Sequence, residues 1–591
     1  MKPSTTTQTH ERDSKQLLPN LGAGLIIGLL QIFLALSFAA LIFSGDLSNT
    51  ISQGIGLSLM GAIISGLIIA AFTSLPGTFG GSQGVPAAIT AVMAAAIAAE
   101  IPAGGSSSES FITVVVAIAL VALLTGLFFW ILGRFQLGGL VRFLPYPVVG
   151  GFLAGIGWLF VSGAIGMMVD VVPLSASNVV PLSSSNVPLS LSNVPLLFQP
   201  QVLITWLLAL VLALIMLAAT RRSDNYLVLP VFLAGGVLLF YLVAWLAGYT
   251  VAELGAQGWL LGPFPGADGG SLWRPVTPAM LRLVNWPAMA GQTANIMAIT
   301  AVSAISLLLN AGGLELASDR DLKVNRELRV SGVANMLAGL AAGLVGYQQL
   351  RLSTLNFKLG ENSRLPGVVA AVICFLVLLA GATLLSFLPT IVIGSFLLLL
   401  GLDFLYQWVF EGWHKLPKID YAIVLVILFV TIIAGFLEAV ALGLLLAVIL
   451  FVVNYSRVDV VRHELSGESY QSRVSRSRQE GQILQREGDR LYILQLQGFI
   501  FFGTANNLLI QLRARINDPE REKPQFIVLD FQRVTGLDST GMLSFTRMKQ
   551  LAGDHGFTLL LTAPNERVLH QLQQGELGDD GHLVRVFHSL D

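Results

Sequence analysis

Charge is what this 591-residue chain has least of: Lys, Arg, Asp and Glu together make up 12% of it, about half the ~25% usual in soluble proteins. That scarcity excludes a single soluble enzyme, and it is uneven. Residues 456–591 hold 33 charged residues in 136, whereas the 455 before them hold 36, five of those in the first 20. A polar tail (1–20), a membrane domain (21–455), a linker (456–490) and a soluble domain (491–591) follow from that division. The formal net charge of −1 leaves no field that would attract nucleic acid. One cysteine, Cys374 in an apolar run, excludes intrachain disulfides and cysteine metal sites. It reads as a small buried hydrophobe. The tail has no apolar core and no small-residue cleavage site, so it reads as cytoplasmic rather than as a signal peptide. With no Walker lysine, HExxH pair or nucleophile elbow, neither an ATPase nor a hydrolase is supported. Catalytic residues, metal ligands and organic cofactors are not expected.

What is present is apolar length. Twelve stretches, from 21–44 to 439–453, approach the ~20 residues that cross a bilayer. Two more, 77–101 and 346–365, are broken by Gly, Pro or polar residues. Fourteen passes or part-passes put both termini on one side. Arg134, Arg142, Arg221, Arg222, Arg320, Lys323, Arg326, Arg329, Lys358, Arg364, Lys415 and Lys418 fall in alternate loops, which marks those loops and both termini as cytoplasmic. The opposite loops show Arg274 and Arg282. The membrane expected is the plasma (inner) membrane. Residues 173–196 repeat a Pro/Ser/Asn phrase that proline bars from a helix and that carries no chemistry.

The two broken segments carry the information. They fall at corresponding places in two halves, about 21–248 and 293–455, the pattern that points to a transporter site. Non-helical backbone at membrane depth must line an enclosed cavity. In GTFGGSQGVPAAITAVMAAAI (77–97) glycines allow an extended approach and Pro86 suits a first helical turn. Free N–H groups from Gly84 onward then present partial positive charge to an anion, with Ser82 and Gln83 adding hydrogen bonds. The alternative is a kinked helix packed through its glycines. In GYQQLRLSTLNFKLGENSRLPG (346–367) a second helix is expected to open at Ser353 and Thr354, with Arg351 at its start. An arginine there is a site residue or one that snorkels to the surface.

Three runs, FLPYPVVGGFLAGIGWL (143–159), NRELRVSGVAN (325–335) and STLNFKLGENSRLPG (353–367), together with GGSQGVPAAI, resemble the sulfate permease (SulP) family of anion transporters. The resemblance implies two inverted seven-span repeats, with substrate between half-helices three and ten. It assigns site roles to Ser82, Gln83, Gly84, Val85 and Pro86, and to Arg351, Leu352, Ser353 and Thr354. It implies a core moving against a gate, and a homodimer. The family's first-span Pro-Gln pair is absent; Gln31 is the nearest glutamine, while the register places Phe33 and Leu34 there. The acid usual in span eight is also absent near Ile305 and Ser306; Asn310 and Glu315 lie beyond. Whether protons or sodium drive transport is therefore left open. The expected function is secondary active transport of a small inorganic anion, sulfate or bicarbonate first. An uncoupled pathway, an amino acid or other organic solute, and a membrane-anchored sensor or scaffold are the alternatives.

Residues 491–591 alternate strand-like and helix-like runs, a small α/β domain. LYILQLQGFIFF reads as a strand pair. FIVLDFQRVTGLDSTGMLSF resembles the STAS domain, in whose bacterial relatives the serine after the aspartate is phosphorylated. The matching residues are Asp538, Ser539 and Thr540, either regulatory or simply a helix cap. A cytoplasmic partner for this domain is the corresponding expectation.

Overall fold

The computed structural model describes residues 6–101, 107–139, 145–170, 198–223, 227–262, 272–273, 275–358, 363–456, 459–470, 477–575 and 577–590. The 173–196 repeat, Arg142 and Arg274 lie outside them. The chain forms two compact units, Met1–Ala447 and Val448–Asp591.

In the first unit, helices α1 (Thr6–Ile42) and α2 (Ile51–Phe72) precede strand β1 (Gly80–Ser82) and helix α3 (Gly84–Glu100). Then come α4 (Ser107–Arg134), α5 (Tyr146–Asp170), α6 (Pro200–Arg222) and α7 (Val228–Leu246). The same order recurs. Helices α8 (Thr293–Ser318) and α9 (Val324–Leu340) precede strand β2 (Gly346–Gln348) and α10 (Leu350–Lys358). They are followed by α11 (Leu365–Ser386), α12 (Thr390–Leu405), α13 (Lys418–Ile433) and α14 (Phe436–Ser456), whose residues from Val448 onward are counted with the second unit. Among the described residues nine helices are long and apolar enough to cross a membrane. The two halves run oppositely at their centre, because β1 and β2 pair antiparallel.

Three sequence expectations shift. Residues 6–20, expected as a tail, are helical and continuous with the first span. The span expected over 332–345 begins at Val324, so Arg326 and Arg329 sit on a helix rather than in a loop. The second half-helix opens at Leu350, three residues before Ser353. It does so because the Gln349 amide ends the strand on the Phe79 carbonyl at 2.8 Å, while the Gln349 carbonyl already accepts from Ser353 N at 3.1 Å.

Helices α1–α4 and α8–α11 pack mainly with one another and form a core. Helices α5–α7 and α12–α14 make up a second group, centred on the packing of α12 and α13 against α5 and of α12 against α6. It holds the positions that the family resemblance assigns to the gate, and is called the gate. Small residues set the closest approaches in each group. A Cβ on Gly332 would stand 2.7 Å from the Trp130 amide of α4, and one on Gly401 would stand 2.6 Å from the Gly157 carbonyl of α5.

The second unit holds a five-stranded sheet, β3 (Val461–Ser466), β4 (Leu491–Ile500), β5 (Phe526–Leu537), β6 (Thr558–Thr562) and β7 (Val584–Phe587). The strands lie in chain order, β3 antiparallel and the rest parallel. Helices α15 (Arg478–Glu487), α16 (Phe502–Ile516), α17 (Ser539–His555) and α18 (Glu566–Gln574) complete it. The stretch expected as a linker thus supplies an edge strand and a helix. LYILQLQGFIFF is one strand followed by a helix start rather than a strand pair. Its alternation buries Tyr492, Leu494 and Leu496 in one core with Leu508, Leu529 and Phe545.

Asp580 anchors the last turn of this unit. It accepts from the backbone of Val584, Leu583 and His582 at 2.8 to 3.1 Å and pairs with Lys549 at 3.1 Å. The Val584 amide first, with Lys549 and the other amides, holds its carboxyl well below the usual carboxylate range. A depressed folded-state value contributes stability that is present above the unfolded value, about 3.9, and is lost as pH falls through the folded one. Thermal unfolding of the soluble unit, followed in the full chain from pH 7 to pH 3, is expected to move to lower temperature. Asp580→Asn should flatten that dependence; an unchanged slope would refute the assignment.

Candidate substrate-binding site

The site is organised by the shorter of the two described sheets. Gly80, Gly81 and Ser82 pair with Gln348, Tyr347 and Gly346. The ladder is lengthened by Gln83 N to the Val345 carbonyl at 3.2 Å and Gln349 N to the Phe79 carbonyl at 2.8 Å. The chain leaves each strand directly into a helix, so α3 and α10 present their N-termini from opposite ends of a strand pair about 10 Å long. In the first turns the amides of Gly84 and Val85, and of Leu350, Arg351 and Leu352, have no partner within their helices. Their partial positive charges make the region between them suited to an anionic group.

The structure distributes the expected site residues among three tasks. Several hold the strands. Ser82 Oγ donates to the Ser58 carbonyl at 3.2 Å, and Gln83 Nε2 donates to the carbonyls of Tyr347 (2.9 Å) and Gln348 (3.1 Å). Asn310 donates to the Gln348 carbonyl at 2.9 Å; Ser306, one turn earlier on α8, is half-buried. Ser353 Oγ accepts from Phe79 N at 2.8 Å and donates to the Gln349 carbonyl at 2.7 Å. Others frame the helix starts: Val85, Pro86 and Leu352 are buried, Gly84 and Thr354 half-buried. Of the set, Arg351 reaches out, with 61% of its side chain exposed, and it forms an ion pair with Asp403 of α12.

The α1 residues divide in the same way. Gln31 is buried and donates to the Gly80 carbonyl at 3.0 Å and to Gln349 Oε1 at 2.8 Å; Gln349 Nε2 donates to the Ser82 carbonyl at 2.9 Å. Gly81 has to be glycine here, since a Cβ would meet the Gln31 amide at 2.2 Å. Phe33 faces the gate, edge-on to Phe396 with ring centroids 6.2 Å apart. It is therefore Gln31, and not Phe33, that reaches the crossing strands.

Sequence reasoning missed the gate side of the site and the base under it. Phe160 of α5 closes on Gly84, where a Cβ would stand 2.8 Å from its ring, and stacks on Phe404 with centroids 6.5 Å apart. Beside Phe404 stands Asp403, an acid in an otherwise apolar run, which is in itself a signal of function. Below the strands Glu327 is fully buried and accepts from Ser74 N, Ser74 Oγ, Gln348 Nε2 and Thr73 Oγ1 at 2.6 to 3.1 Å.

In the soluble unit Asp538 caps α17, accepting from Gly541 N at 2.5 Å, and Ser539 is the exposed first helical residue. The Thr540 side chain lies outside the described residues. Asp530 is buried and occupied by Gln532 N and Thr562.

The sulfate permease family model matches residues 17–427, and the STAS domain model matches 482–591. The chain therefore belongs to the sulfate permease family: it is a multi-pass integral membrane protein with a C-terminal STAS domain. It is similar to the vacuolar basic amino acid transporter VSB1 of Saccharomyces cerevisiae, at 26% identity over 565 residues. That match covers 93% of this chain and 52% of the relative, so this chain spans about half the relative's length. The bicarbonate transporter BicA of Picosynechococcus is 25% identical over 80% of this chain and 79% of its own. Among solved structures, the murine Slc26a9 anion transporter shares the fold with a TM-score of 0.65 at 15% identity, covering 96% of this chain and 89% of that one.

Proposed function

We infer that this protein is a secondary active transporter of a small solute, whose anionic group is held between the N-termini of α3 and α10 while the core moves against the gate. The observation that carries this reading is the pair of opposed half-helix starts built on the β1–β2 crossing. A scaffold or sensor needs no such construction. Sulfate and bicarbonate are the inorganic candidates. Similarity to an amino acid transporter along most of the chain adds amino acids, whose carboxylate the same amides suit. In this reading the protein works as a homodimer in the plasma (inner) membrane with both termini cytoplasmic, as the basic loops favour. It needs no organic cofactor. Asp538 and Ser539 serve as a helix start, and the STAS domain offers a surface to a cytoplasmic partner.

The full chain in proteoliposomes is expected to take up labelled sulfate, bicarbonate or an amino acid, with pH and sodium gradients imposed separately to identify the coupling ion. Arg351→Ala should lower that flux about tenfold, the scale of one lost charge-assisted hydrogen bond. If no solute moves, or if Arg351→Ala leaves the flux intact, this reading of the site fails.

A further inference from the structure

The charge cluster at the mouth of the site bears on which solutes the site accepts, a role that depends on the transport site of the proposed function. Arg351 comes from the core. Every other member belongs to the gate: Asp403 near the end of α12, Arg221 in the last turn of α6, and Glu411 and Lys415 in the one-turn helix Glu411–Lys415. Asp403 binds Arg351 through one carboxylate oxygen and Arg221 through the other, at 2.8 Å. Arg221 also pairs with Glu411, which Lys415 neutralises in turn, and its guanidinium lies 4.4 Å from the centre of the Tyr406 ring. Asp403 is thus within the site's own charge network, with 18% of its side chain exposed.

A site built for a plain anion would hold its guanidinium ready for that anion. Here Arg351 is already neutralised. Arg351 gives Asp403 its Nη2, so a plain anion that takes the remaining N–H groups places a second negative charge beside Asp403 on one guanidinium. The only other arginine on Asp403 in this cluster, Arg221, is shared with Glu411. A solute that carries both charges meets no such conflict. Its carboxylate takes Arg351 and the first-turn amides, and its ammonium replaces Arg351 at Asp403. One ion pair is exchanged for two, with no change in net charge. We propose that Asp403 is a specificity-determining residue that makes this site prefer solutes bearing both a carboxylate and an ammonium, the chemistry of an amino acid, over plain anions. Rejection of the wrong partner comes from the like charge already present, as much as from attraction of the right one.

The test uses the purified full chain, with binding read by ligand-induced thermal shift and flux read in proteoliposomes. The probes are alanine and lysine, which carry both charges, against propionate and sulfate, which do not. Alanine and propionate differ in the ammonium alone. Wild type is expected to bind at least one amino acid more tightly than either plain anion. Asp403→Asn should weaken that amino acid about tenfold or more and hold or improve sulfate and propionate, reversing the order. Amino acid binding by wild type with an unchanged order in Asp403→Asn overturns the role of Asp403 and leaves the transport site standing. Preference of wild type for sulfate or propionate also overturns it. Absence of binding and flux with all four probes overturns the role of Asp403, and absence of bicarbonate flux as well removes the transport site. Should Asp403→Asn fail to fold, Asp403→Glu keeps the charge and is expected to retain the wild-type order, and loss of that order there refutes the proposal.

Discussion

Glu327→Ala is expected to yield no stable, monodisperse transporter. The carboxylate is fully buried and receives four hydrogen bonds, from Ser74 N (2.6 Å), Ser74 Oγ (2.7 Å), Gln348 Nε2 (2.7 Å) and Thr73 Oγ1 (3.1 Å). Truncation takes the acceptor from Ser74 N, Ser74 Oγ and Gln348 Nε2 at about 1–3 kcal/mol each, while Thr73 Oγ1 keeps the Leu75 carbonyl at 3.4 Å. The sum is comparable to the lower part of the 5–15 kcal/mol of a typical domain. The damage reaches the site through a short chain of contacts. Gln348 accepts from Ser331 at 3.1 Å while it donates to Glu327, and Gln348 is the last residue of β2. Asn335, two turns beyond Glu327 on the same helix, clamps Gly346 at the other end of the strand through bonds of 2.7 and 2.8 Å. Loss of Glu327 therefore loosens both the turn after α2 and the strand on which α10 depends. Glu327→Gln keeps the shape and part of the acceptor capacity, so it should recover part of the yield. Size-exclusion chromatography and thermal unfolding are the measurements. A Glu327→Ala protein that elutes and melts like wild type would refute the role assigned here.

Gly332→Leu is expected to have the second-largest effect, by a different mechanism. Glycines at Gly126 and Gly332 let α4 and α9 approach until backbone meets backbone: a Cβ at Gly332 would stand 2.7 Å from Trp130 N and 2.8 Å from the Gly126 carbonyl. Both neighbours are backbone, so no side chain can swing aside, and the helices must separate. Overpacking typically costs about 1–3 kcal/mol, and here α9 would also pull its Glu327–Ser331–Asn335 face away from β2. A lowered melting temperature and loss of flux are expected together. Gly235→Ala on α7 is the control, since a Cβ there meets nothing within 4 Å and should be neutral. Equal melting temperatures for Gly332→Leu and wild type would refute so close an α4–α9 contact.

How much of the fold and the site is legible in the sequence differs from residue to residue. The half-helix at Gly84 is written in local chemistry: glycines for the extended approach, then Pro86 in the first turn. Its partner reads three residues late because Ser353 and Thr354 look like a helix start. The strand in fact ends on a bond from Gln349 to Phe79, a residue some 270 positions away. In the same way Arg326 and Arg329 read as loop charges, although they ride on α9, where Arg326 donates to the Phe72 carbonyl at 3.1 Å. The spacing of Glu327, Ser331 and Asn335 at four-residue steps is a visible sign of a polar helix face, as is the lone acid Asp403 in an apolar run. Neither position shows what it touches.

By itself, the sequence determined the class of this protein. Apolar length and scarce charge make it a membrane protein, broken spans at matching places in two halves make it transporter-like, and one charged tail makes a separate α/β domain. These follow from composition and local backbone preference, which act over a few residues. Tertiary structure alone decided which polar residues build the strands and which remain to meet a solute. Ser82, Gln83 and Ser353 hold the backbone, and Gln31 and Gln349 hold each other. Arg351 reaches out to a carboxylate on the opposite side of the gate boundary. The reason is that a buried hydrogen bond or ion pair is made by whichever partner folding brings within about 3 Å, and no spacing in the chain records a partner tens to hundreds of residues away.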